Sequence, residues 1–348
     1  MDRVVVSTDD PEIAAVSAQY GAEVVWRPAE ISGDTASSES ALLHALEHLE
    51  RTERYKPDLV VFLQCTSPLT LPKDIDATVQ ALLDEDADSA LAVTPFHYFL
   101  WQRDNRGDGV GINHDERVRL LRQEREPQFL ETGAVYVMRA QGFREAEHRF
   151  FGKTAMYVMP GERWLEIDEP IDFRIAEVLM AGQQHQQRLG TLPKTIAALV
   201  LDFDGVFTDN RVIVFQNGRE AVVCHRGDGL GLAQLTRLGV SVLVLSSEVN
   251  PVVQARCDKL GIACLHGMED KHKALLAWLA DRDIEASQVI YVGNDVNDLR
   301  CLQAVGCGIA VSDAHPRARA AAEIVLSAPG GGGAIREVAE LIEQRLGA

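Results

Sequence analysis

The sequence has no long hydrophobic run and too few basic residues to balance its acidic ones. Its 348 residues include 34 lysines and arginines against 52 aspartates and glutamates, a formal net charge of -18. No run of eighteen apolar residues occurs, and the opening MDRVVVSTDD lacks the apolar stretch of a signal peptide. We therefore expect a cytoplasmic protein that neither crosses a membrane nor binds nucleic acid, whose phosphates the acidic surface would repel.

Cysteine is also scarce. The six cysteines form no CxxC pair and lie mostly within apolar runs. This usage is typical of small buried side chains in a reducing compartment. We interpret them as structural residues, not as disulfides or zinc ligands.

The length fits two domains, and a hydrophobic share of 46% is enough to bury a core in each. Short β-branched runs alternate with amphipathic helical patterns, which predicts an α/β fold with largely parallel sheets. The polar, glutamine-rich segment AGQQHQQRLGTLP (181–193) is the best linker candidate. It separates a first domain, residues 1–182, from a second, residues 195–348.

The pattern also predicts individual elements in both domains. In the first domain it predicts strands at Arg3–Ser7, Leu59–Leu63, Ser89–Val93 and Val135–Met138, and helices at Pro11–Tyr20, Ser38–Arg51 and Pro72–Glu85. In the second it predicts strands at Ala197–Leu201, Val240–Leu245 and Val289–Val292, and a hairpin whose strands, Val212–Phe215 and Ala221–Cys224, flank Asn217-Gly218.

The strongest chemical signal is LVLDFDGVFTDN (199–210). An apolar strand delivers Asp202 and Asp204 to its carboxyl end, where open α/β sheets place their active sites. Alternation along an extended backbone puts both carboxylates on the same side. One can attack phosphorus while the other protonates the leaving oxygen and later activates water. The pattern predicts a phosphohydrolase with Asp202 as nucleophile and Asp204 as general acid.

This segment resembles the first motif, DxDGxxTD, of the haloacid dehalogenase (HAD) phosphatase superfamily. It matches at every fixed position, including Gly205, which permits the tight turn. The other HAD motifs follow in order at strand ends. The resemblance implies that Ser246 binds the phosphoryl group and that Lys271, with Lys273 as the fallback, steadies the aspartyl-phosphate. The segment GNDVND (293–298) resembles the GDDxxD metal-binding motif.

The HAD resemblance implies Mg²⁺ as the cofactor. Where the family usually has an aspartate, this chain has Asn294. Magnesium prefers hard oxygen ligands and tolerates retained waters. Candidate ligands are therefore Asp202, the backbone carbonyl of Asp204, Asn294 and waters. Asp295 and Asp298 would then orient Lys271 and the ligand waters, or Asp295 would itself be a ligand.

The hairpin and the DGxG segment after it (228–231) resemble the capless HAD subclass that includes 3-deoxy-manno-octulosonate 8-phosphate phosphatase. The ending GGGGAIREVAELI (330–342) resembles that subclass's GGxGAxREV tail. The resemblance implies a β-hairpin in place of a cap, and a homotetramer formed through the HAD domain in which a neighbour roofs each site. The implied substrate contacts are Gly205, Asp228, Gly229 and Asp298. Since the subclass commonly has arginine where Gly332 stands, one contact is expected to be missing.

The glycine run, Gly330–Gly333, has a second interpretation. Four consecutive glycines are also typical of a flexible linker, here one that would lead into the final helix. Both interpretations stay open at the level of sequence.

Four segments of the first domain together resemble acylneuraminate cytidylyltransferases, the CMP-sialic acid synthetases. They are residues 4–38, LQCTSPL (63–69), RQEREPQFLETGAVYVM (122–138) and WLEIDEPIDF (164–173). The resemblance spans about residues 3–181 and implies a nucleotide-diphospho-sugar-transferase-like α/β domain. It implies CMP transfer from CTP to a nine-carbon 2-keto acid, with positioning and magnesium supplying most of the catalysis. In animal sialate-activating enzymes a HAD-like domain follows, so the two resemblances support each other.

The resemblance also places site residues in this half. Contacts to the sugar acid are implied for Arg27, Gln64, Thr66, Ser67, Gln123, Glu131, Thr132 and Gly133. Glu166 and Asp168 fall where the family has two aspartates for magnesium. A spacing of two on an extended segment points both carboxylates the same way.

Family members open with a strand and a loop of the form ARGGSKGxxxKN, whose amides and cations hold the CTP phosphates. This sequence begins at a point that matches the family's second strand, and no such loop or nearby lysine precedes Asp34. The first domain is therefore predicted to be incomplete at its N-terminus and impaired in CMP transfer, unless the true start lies upstream.

Three functions stay open. The first is a sialic-acid-pathway protein whose HAD domain hydrolyses a keto-sugar-acid phosphate, with that phosphate and CTP as its small-molecule partners. The second makes the HAD domain a non-catalytic tetramerisation module, against which the intact Asp202 and Asp204 argue. The third is an octulosonate 8-phosphate phosphatase, which leaves the first domain unexplained.

Overall fold

The computed structural model describes residues 2–33 and 35–347. Its contacts fall into two units, Met1–Ala181 and Gly182–Ala348. The boundary lies in the segment named as the linker candidate, and this segment is helical, because the helix Pro170–Thr191 runs through most of it. Glutamine, arginine and leucine favour helix strongly enough to continue it. No helix among the described residues has the length and apolarity needed to cross a bilayer.

The first unit is a mixed α/β structure. Its strands and helices, in chain order, are β1 (Val5–Thr8), α1 (Pro11–Gln19), β2 (Glu23–Trp26), α2 (Ser38–Glu53), β3 (Leu59–Leu63), α3 (Pro72–Asp84), β4 (Ser89–Phe96), β5 (Trp101–Arg103), β6 (Gly109–Gly111), β7 (Gln128–Arg139), α4 (Ala140–Ala146), β8 (Thr154–Val158) and α5 (Pro170–Thr191), which continues past Ala181.

The main sheet of this unit has the order β3-β7-β4-β8. Strand β7 runs antiparallel to both β3 and β4, whereas β4 and β8 are parallel. The prediction of largely parallel sheets is therefore wrong here. Strands β1 and β2 form a separate parallel pair. Helix α3 covers one face of the main sheet, where Leu82, Val135 and Val137 are buried.

The second unit is a layered α/β structure. Its elements are β9 (Ala198–Leu201), β10 (Ile213–Val214), β11 (Glu220–Ala221), α6 (Arg226–Arg237), β12 (Ser241–Leu245), α7 (Val252–Leu260), β13 (Ala263–Leu265), α8 (Lys271–Ala280), β14 (Val289–Gly293), α9 (Leu299–Leu302), β15 (Cys307–Ala310), α10 (Pro316–Ala321), β16 (Ile324–Val325) and α11 (Ala334–Leu346).

Six strands form one sheet in the order β13-β12-β9-β14-β15-β16, with every pairing parallel. The prediction of parallel strands is confirmed in this unit. Strand β9 is buried along its whole length because both sheet faces are covered, which explains its unbroken apolar sequence. It lies between β12 and β14, so the carboxyl ends of these three strands meet at one edge. In open α/β sheets, ligands bind where the strand order reverses, as it does at this point.

The six cysteines are free thiols. Burial raises the pKa of the Cys301 and Cys307 thiols to about 12. These two thiols stay protonated at neutral pH and act as small apolar side chains.

Candidate active site

A cavity of about 200 Å³ lies at the carboxyl edge of the parallel sheet. Residues that follow β9, β12 and β14 line it: Asp202, Asp204, Asn210, Ser246, Ser247, Asn294, Asp295, Val296 and Asn297. The structure thus brings together the residues that follow three separate predicted strands.

Asp202 is 4% exposed and follows β9 directly. Its Oδ1 accepts hydrogen bonds from the Phe203 backbone N–H and from Lys271 Nζ, both at 2.7 Å. Burial, and then the nearby Asp298, raise the pKa of Asp202 to about 7, although Lys271 opposes the rise. Within the described residues Oδ2 has no hydrogen-bond partner, so one oxygen is held and the other is open to a reactant.

A buried network surrounds Lys271. Its Nζ donates to Asp298 Oδ1 at 2.9 Å, and the Tyr291 hydroxyl donates to the same oxygen at 2.7 Å. Asp298 Oδ2 accepts from the backbone N–H groups of Asn294 and Asp295. Burial by itself lowers the pKa of Lys271, but the two carboxylates raise it overall, so the ammonium stays charged. Asp298 therefore holds both the lysine and the 294–295 turn.

The fallback lysine of the sequence analysis lies elsewhere. Lys273 is exposed, and its backbone N–H donates to the side chain of Asp270, the N-cap residue of α8. Lys271 is thus the lysine that contacts the carboxylates. Sequence reasoning did not find Tyr291, because an aromatic residue inside an apolar strand has the pattern of core packing. The available signal was that a buried tyrosine hydroxyl needs a partner.

Asp204 is partly buried at the cavity wall. Burial, and then the negative charge of Glu248 and of Glu220, raise its pKa, with Lys271 opposing. A raised pKa favours the protonated form that a general acid needs. Glu220 and Glu248 were not among the predicted residues, since one lies in the hairpin and the other in a loop without a motif match.

Ser246 is 2% exposed, and its hydroxyl oxygen accepts a hydrogen bond from the Glu248 backbone N–H at 3.0 Å. The hydroxyl can therefore donate its own hydrogen into the cavity. That geometry suits a contact to a phosphoryl oxygen.

Gly205 begins a segment that we call the acid loop, residues 205–209, which follows Asp204. Its φ is +78°, and a methyl group there would lie 1.9 Å from Asn294 Nδ2. The glycine is therefore required both by the backbone conformation and by the asparagine packed against it.

The cavity carries oxygen donors of the type that Mg²⁺ prefers. They are the Asp202 carboxylate, the side-chain amide of Asn294 and the carboxylate of Asp295, whose Oδ1 also accepts the Val296 backbone N–H. Among the described residues, no three His, Cys, Asp or Glu side chains form a metal site by themselves. A metal here would therefore need neutral oxygens, such as an amide, a main-chain carbonyl or water, to complete its shell.

Two predicted substrate contacts do not reach this cavity. Asp228 is fully buried, and its Oδ1 accepts the Arg336 backbone N–H in the first turn of α11 at 3.1 Å. It thus joins the start of α6 to the start of α11. The neighbouring Gly229 faces Leu260. Within this unit both residues contact neighbouring helices or their termini and do not line the cavity.

The glycine run is not a flexible linker. The Gly331 backbone N–H donates to the Val206 carbonyl at 3.0 Å, so the run lies against the acid loop. That alternative of the sequence analysis is therefore wrong.

In the first unit, several predicted residues meet around Glu166. The Thr66 hydroxyl donates to Glu166 Oε1 at 3.2 Å, and Gly133 has a φ of +66° and no room for a Cβ beside that carboxylate. Ser67 Oγ donates to the Thr132 carbonyl at 3.3 Å. These contacts join the loop after β3 to the middle of β7.

The other residues predicted for this half lie around or apart from that cluster. Glu131 accepts the Tyr136 hydroxyl, and the Gln64 carbonyl accepts the Ser67 backbone N–H. Arg27 Nη2 donates to the Ser7 carbonyl at 2.6 Å. The side chains of Gln123 and Asp168 are exposed, and the Asp168 backbone N–H donates to Asp172.

Comparison with known proteins agrees with both halves of this description. A family model described as Cytidylyltransferase matches residues 1–159, and one described as haloacid dehalogenase-like hydrolase matches residues 262–334. An N-acylneuraminate cytidylyltransferase from Oncorhynchus mykiss is 30% identical over 352 residues, which cover 98% of this chain and 78% of that protein. The chain belongs to the N-acylneuraminate cytidylyltransferase family.

Part of this cytidylyltransferase family member is also similar to separate phosphatases. The 3-deoxy-D-manno-octulosonate 8-phosphate phosphatase KdsC of Salmonella typhi is 34% identical over 153 residues, 44% of this chain and 81% of that protein. Both resemblances inferred from the sequence are therefore confirmed. A crystal structure of the phosphatase from Moraxella catarrhalis, in complex with magnesium, phosphate and KDO, is 30% identical and covers 47% of this chain and 93% of its own, with a TM-score of 0.44.

Proposed function

We propose that residues 195–348 form a HAD-type phosphatase that cleaves a phosphomonoester through an aspartyl-phosphate. Asp202 Oδ2 attacks phosphorus, the bond between phosphorus and the leaving oxygen breaks, and Asp204 gives its proton to that oxygen. In the second half-reaction Asp204 accepts a proton from the water that attacks phosphorus. Cleavage of the aspartyl bond then frees inorganic phosphate and restores both carboxyl groups.

One observation carries this proposal. Asp202 has one oxygen held by Lys271 at 2.7 Å and the other open to the cavity. A purely structural ion pair gains most when both oxygens are satisfied, because an unpaired buried acceptor costs free energy. The open oxygen therefore favours catalysis over the alternative of a non-catalytic tetramerisation module.

We propose Mg²⁺ as the cofactor of this unit. Asp202, the main-chain carbonyl of Asp204 and Asn294 or Asp295 would hold it, with waters completing the shell. When bound, it would neutralise charge on the transferring phosphoryl group. Lys271 and Ser246 supply the protein's own positive charge and hydroxyl donor to that group.

The proposed substrate is a keto-sugar-acid phosphate, which fits the similarity to KdsC and the family of the whole chain. Among the described residues that line the cavity, none is a lysine or arginine. A substrate carboxylate would therefore need a cation from outside this lining. We propose that a neighbouring subunit of a homotetramer supplies it and roofs the site.

The hairpin supports this assembly. Four consecutive apolar residues on and beside β10 are each at least half exposed: Val212, Ile213, Val214 and Phe215. Exposed apolar patches of this kind typically mark interaction sites. The hairpin would then stand where other HAD proteins have a cap and would form the contact between subunits.

For residues 1–182 we propose recognition of a nine-carbon 2-keto acid and CMP transfer from CTP, with Glu166 and Asp168 as the candidate metal ligands of this unit. The contacts among Thr66, Gly133 and Glu166 support a sugar-acid site. CTP-dependent formation of a CMP-sugar, measured with Glu166→Gln beside wild type, tests this assignment directly.

Phosphate release from nine-carbon and eight-carbon keto-acid phosphates tests the phosphatase. We expect Asp202→Asn to abolish release, and chelation of divalent ions to abolish it reversibly. Asp281→Asn is the matched control, because that carboxylate is 77% exposed and pairs with Arg282 at the surface. Release by Asp202→Asn at the wild-type rate would refute the nucleophile. Preference for the eight-carbon substrate would favour the octulosonate phosphatase instead.

A further inference from the structure

The glycine run is attached to the acid loop by main-chain contacts. Its Gly331 N–H donates to the Val206 carbonyl at 3.0 Å, and its Gly330 N–H donates to Asp313 Oδ1 at 2.9 Å. Asp313 follows β15, so the run is held to the sheet on one side and to the acid loop on the other. The run therefore forms a fixed strap across the loop.

No side chain fits between the strap and the loop. A methyl group on Gly330 would lie 2.0 Å from the Gly205 carbonyl oxygen, and one on Gly331 would lie 2.5 Å from the Asp209 backbone nitrogen. Both obstacles are main-chain atoms that cannot rotate away. Gly331 also has a φ of +64°, where residues with a Cβ are strained. Both positions require glycine for steric reasons.

The acid loop is confined on its other side as well. A methyl group on Gly205 would meet Asn294 Nδ2 at 1.9 Å. The main chain at Gly205 thus lies between the Asn294 side chain and Gly330, with room on neither side. Because Gly205 is joined to Asp204 by a peptide bond, this confinement fixes the direction in which the Asp204 carboxyl group leaves the chain.

We propose that Gly330 and Gly331 are positioning residues for the general acid. By holding the acid loop, they keep Asp204 within reach of the leaving-group oxygen. The inference rests on the proposed phosphatase function. Asp202 follows a central strand and Lys271 belongs to α8, so a displaced acid loop would leave nucleophile and lysine in place. At saturating Mg²⁺, which offsets any weakening of the Asp204 carbonyl as a ligand, attack on phosphorus would persist, and protonation of the leaving oxygen would be lost.

The choice of leaving group separates attack on phosphorus from protonation of the leaving oxygen. A sugar alkoxide needs a proton as it departs, whereas p-nitrophenolate leaves with little help. For Gly330→Ala we expect kcat on the sugar phosphate to fall about 100-fold, the lower end of what a general acid contributes. On p-nitrophenyl phosphate we expect a loss of less than about 5-fold, because that reaction needs the acid least.

Asp313 provides a second test that adds no atom to the strap. Asp313→Ala removes the acceptor of the Gly330 N–H, and Asp313→Asn keeps one. We expect Asp313→Ala to lose about 10-fold on the sugar phosphate alone, and Asp313→Asn to restore most of it. Gly190→Ala is the control, since a methyl group there meets no heavy atom within 4 Å.

The outcomes separate the hypotheses. Equal losses on both substrates by a folded Gly330→Ala protein, or wild-type rates on both, would overturn the positioning role. If Gly330→Ala does not fold, the Asp313 pair decides by the same criterion. If the wild-type chain hydrolyses neither substrate, the proposed function itself fails, and that result does not depend on the glycines.

Discussion

Asp298→Asn should destabilise the second unit strongly, and the contacts of Asp298 give the size of the loss. Its two oxygens accept four donors: Lys271 Nζ and the Tyr291 hydroxyl on Oδ1, and the backbone N–H groups of Asn294 and Asp295 on Oδ2. Asparagine has one oxygen, so either orientation turns an NH₂ group towards two donors. Each buried donor left unpaired costs about 1–3 kcal/mol, which sums to about 2–6 kcal/mol.

Hydrogen exchange of peptides that cover β9 and β14 measures this loss in the second unit alone. Tyr291→Phe should cost less, because it removes one donor and leaves the carboxylate three. Asp281→Asn, at the surface, should change the free energy of opening by less than about 0.5 kcal/mol. A loss below about 1 kcal/mol for Asp298→Asn would refute the reasoning, since at least one unpaired donor would then be costing nothing.

Two further predictions concern charge. Glu248 helps to raise the pKa of Asp204, and a general acid loses activity as pH rises through its pKa. Glu248→Gln should therefore move the alkaline limb of the pH profile of kcat to lower pH. An alkaline limb that stays in place or moves to higher pH would contradict this prediction. In the first unit, buried Asp74 accepts Arg163 Nη2 at 2.6 Å and Nε at 3.0 Å, so Asp74→Asn should cost about 3–5 kcal/mol, seen as faster exchange in α3. Burial raises the pKa of Asp74, but Arg163 lowers it by more, so the pKa in the folded protein is below its usual value. The stability that this pair gives the wild type should therefore be lost as pH falls through that lowered pKa. Exchange protection of α3 that does not change in acid would argue against the pair.

Strand ends were the part of the active site that the sequence could predict. The apolar runs locate β9, β12 and β14 to within one residue, and the polar residues after them line the cavity. This works because a buried parallel strand must be apolar along its length and must become polar where it ends. Asp202, Ser246 and Asn294 can therefore be located from the sequence alone.

Apart from Asp298, which the HAD resemblance assigned to orienting Lys271, the residues that support them were not predicted. The Tyr291 hydroxyl contacts Asp298 seven residues later, and the glycine run contacts the acid loop far away in the chain, but their local patterns are those of a core residue and a linker. The same limit applies to Asp228, whose place in a family motif suggested a substrate contact. Its fully buried carboxylate instead accepts a backbone N–H from α11. Local rules do not give packing partners.

The first unit shows why the order of motifs along the chain is not enough to predict which residues share a site. In an all-parallel sheet, residues after neighbouring strands must meet at one edge. Here β7 runs antiparallel to β3, with Leu63 opposite Val135, so the loop after β3 lies beside the N-terminal half of β7 and not beside its C-terminal end. That register is what brings Ser67 to the Thr132 carbonyl. Assuming parallel strands would have placed the segment around Gly133 at the wrong end of the sheet. Strand direction, which apolar patterning does not encode, therefore decides which motifs can share a substrate.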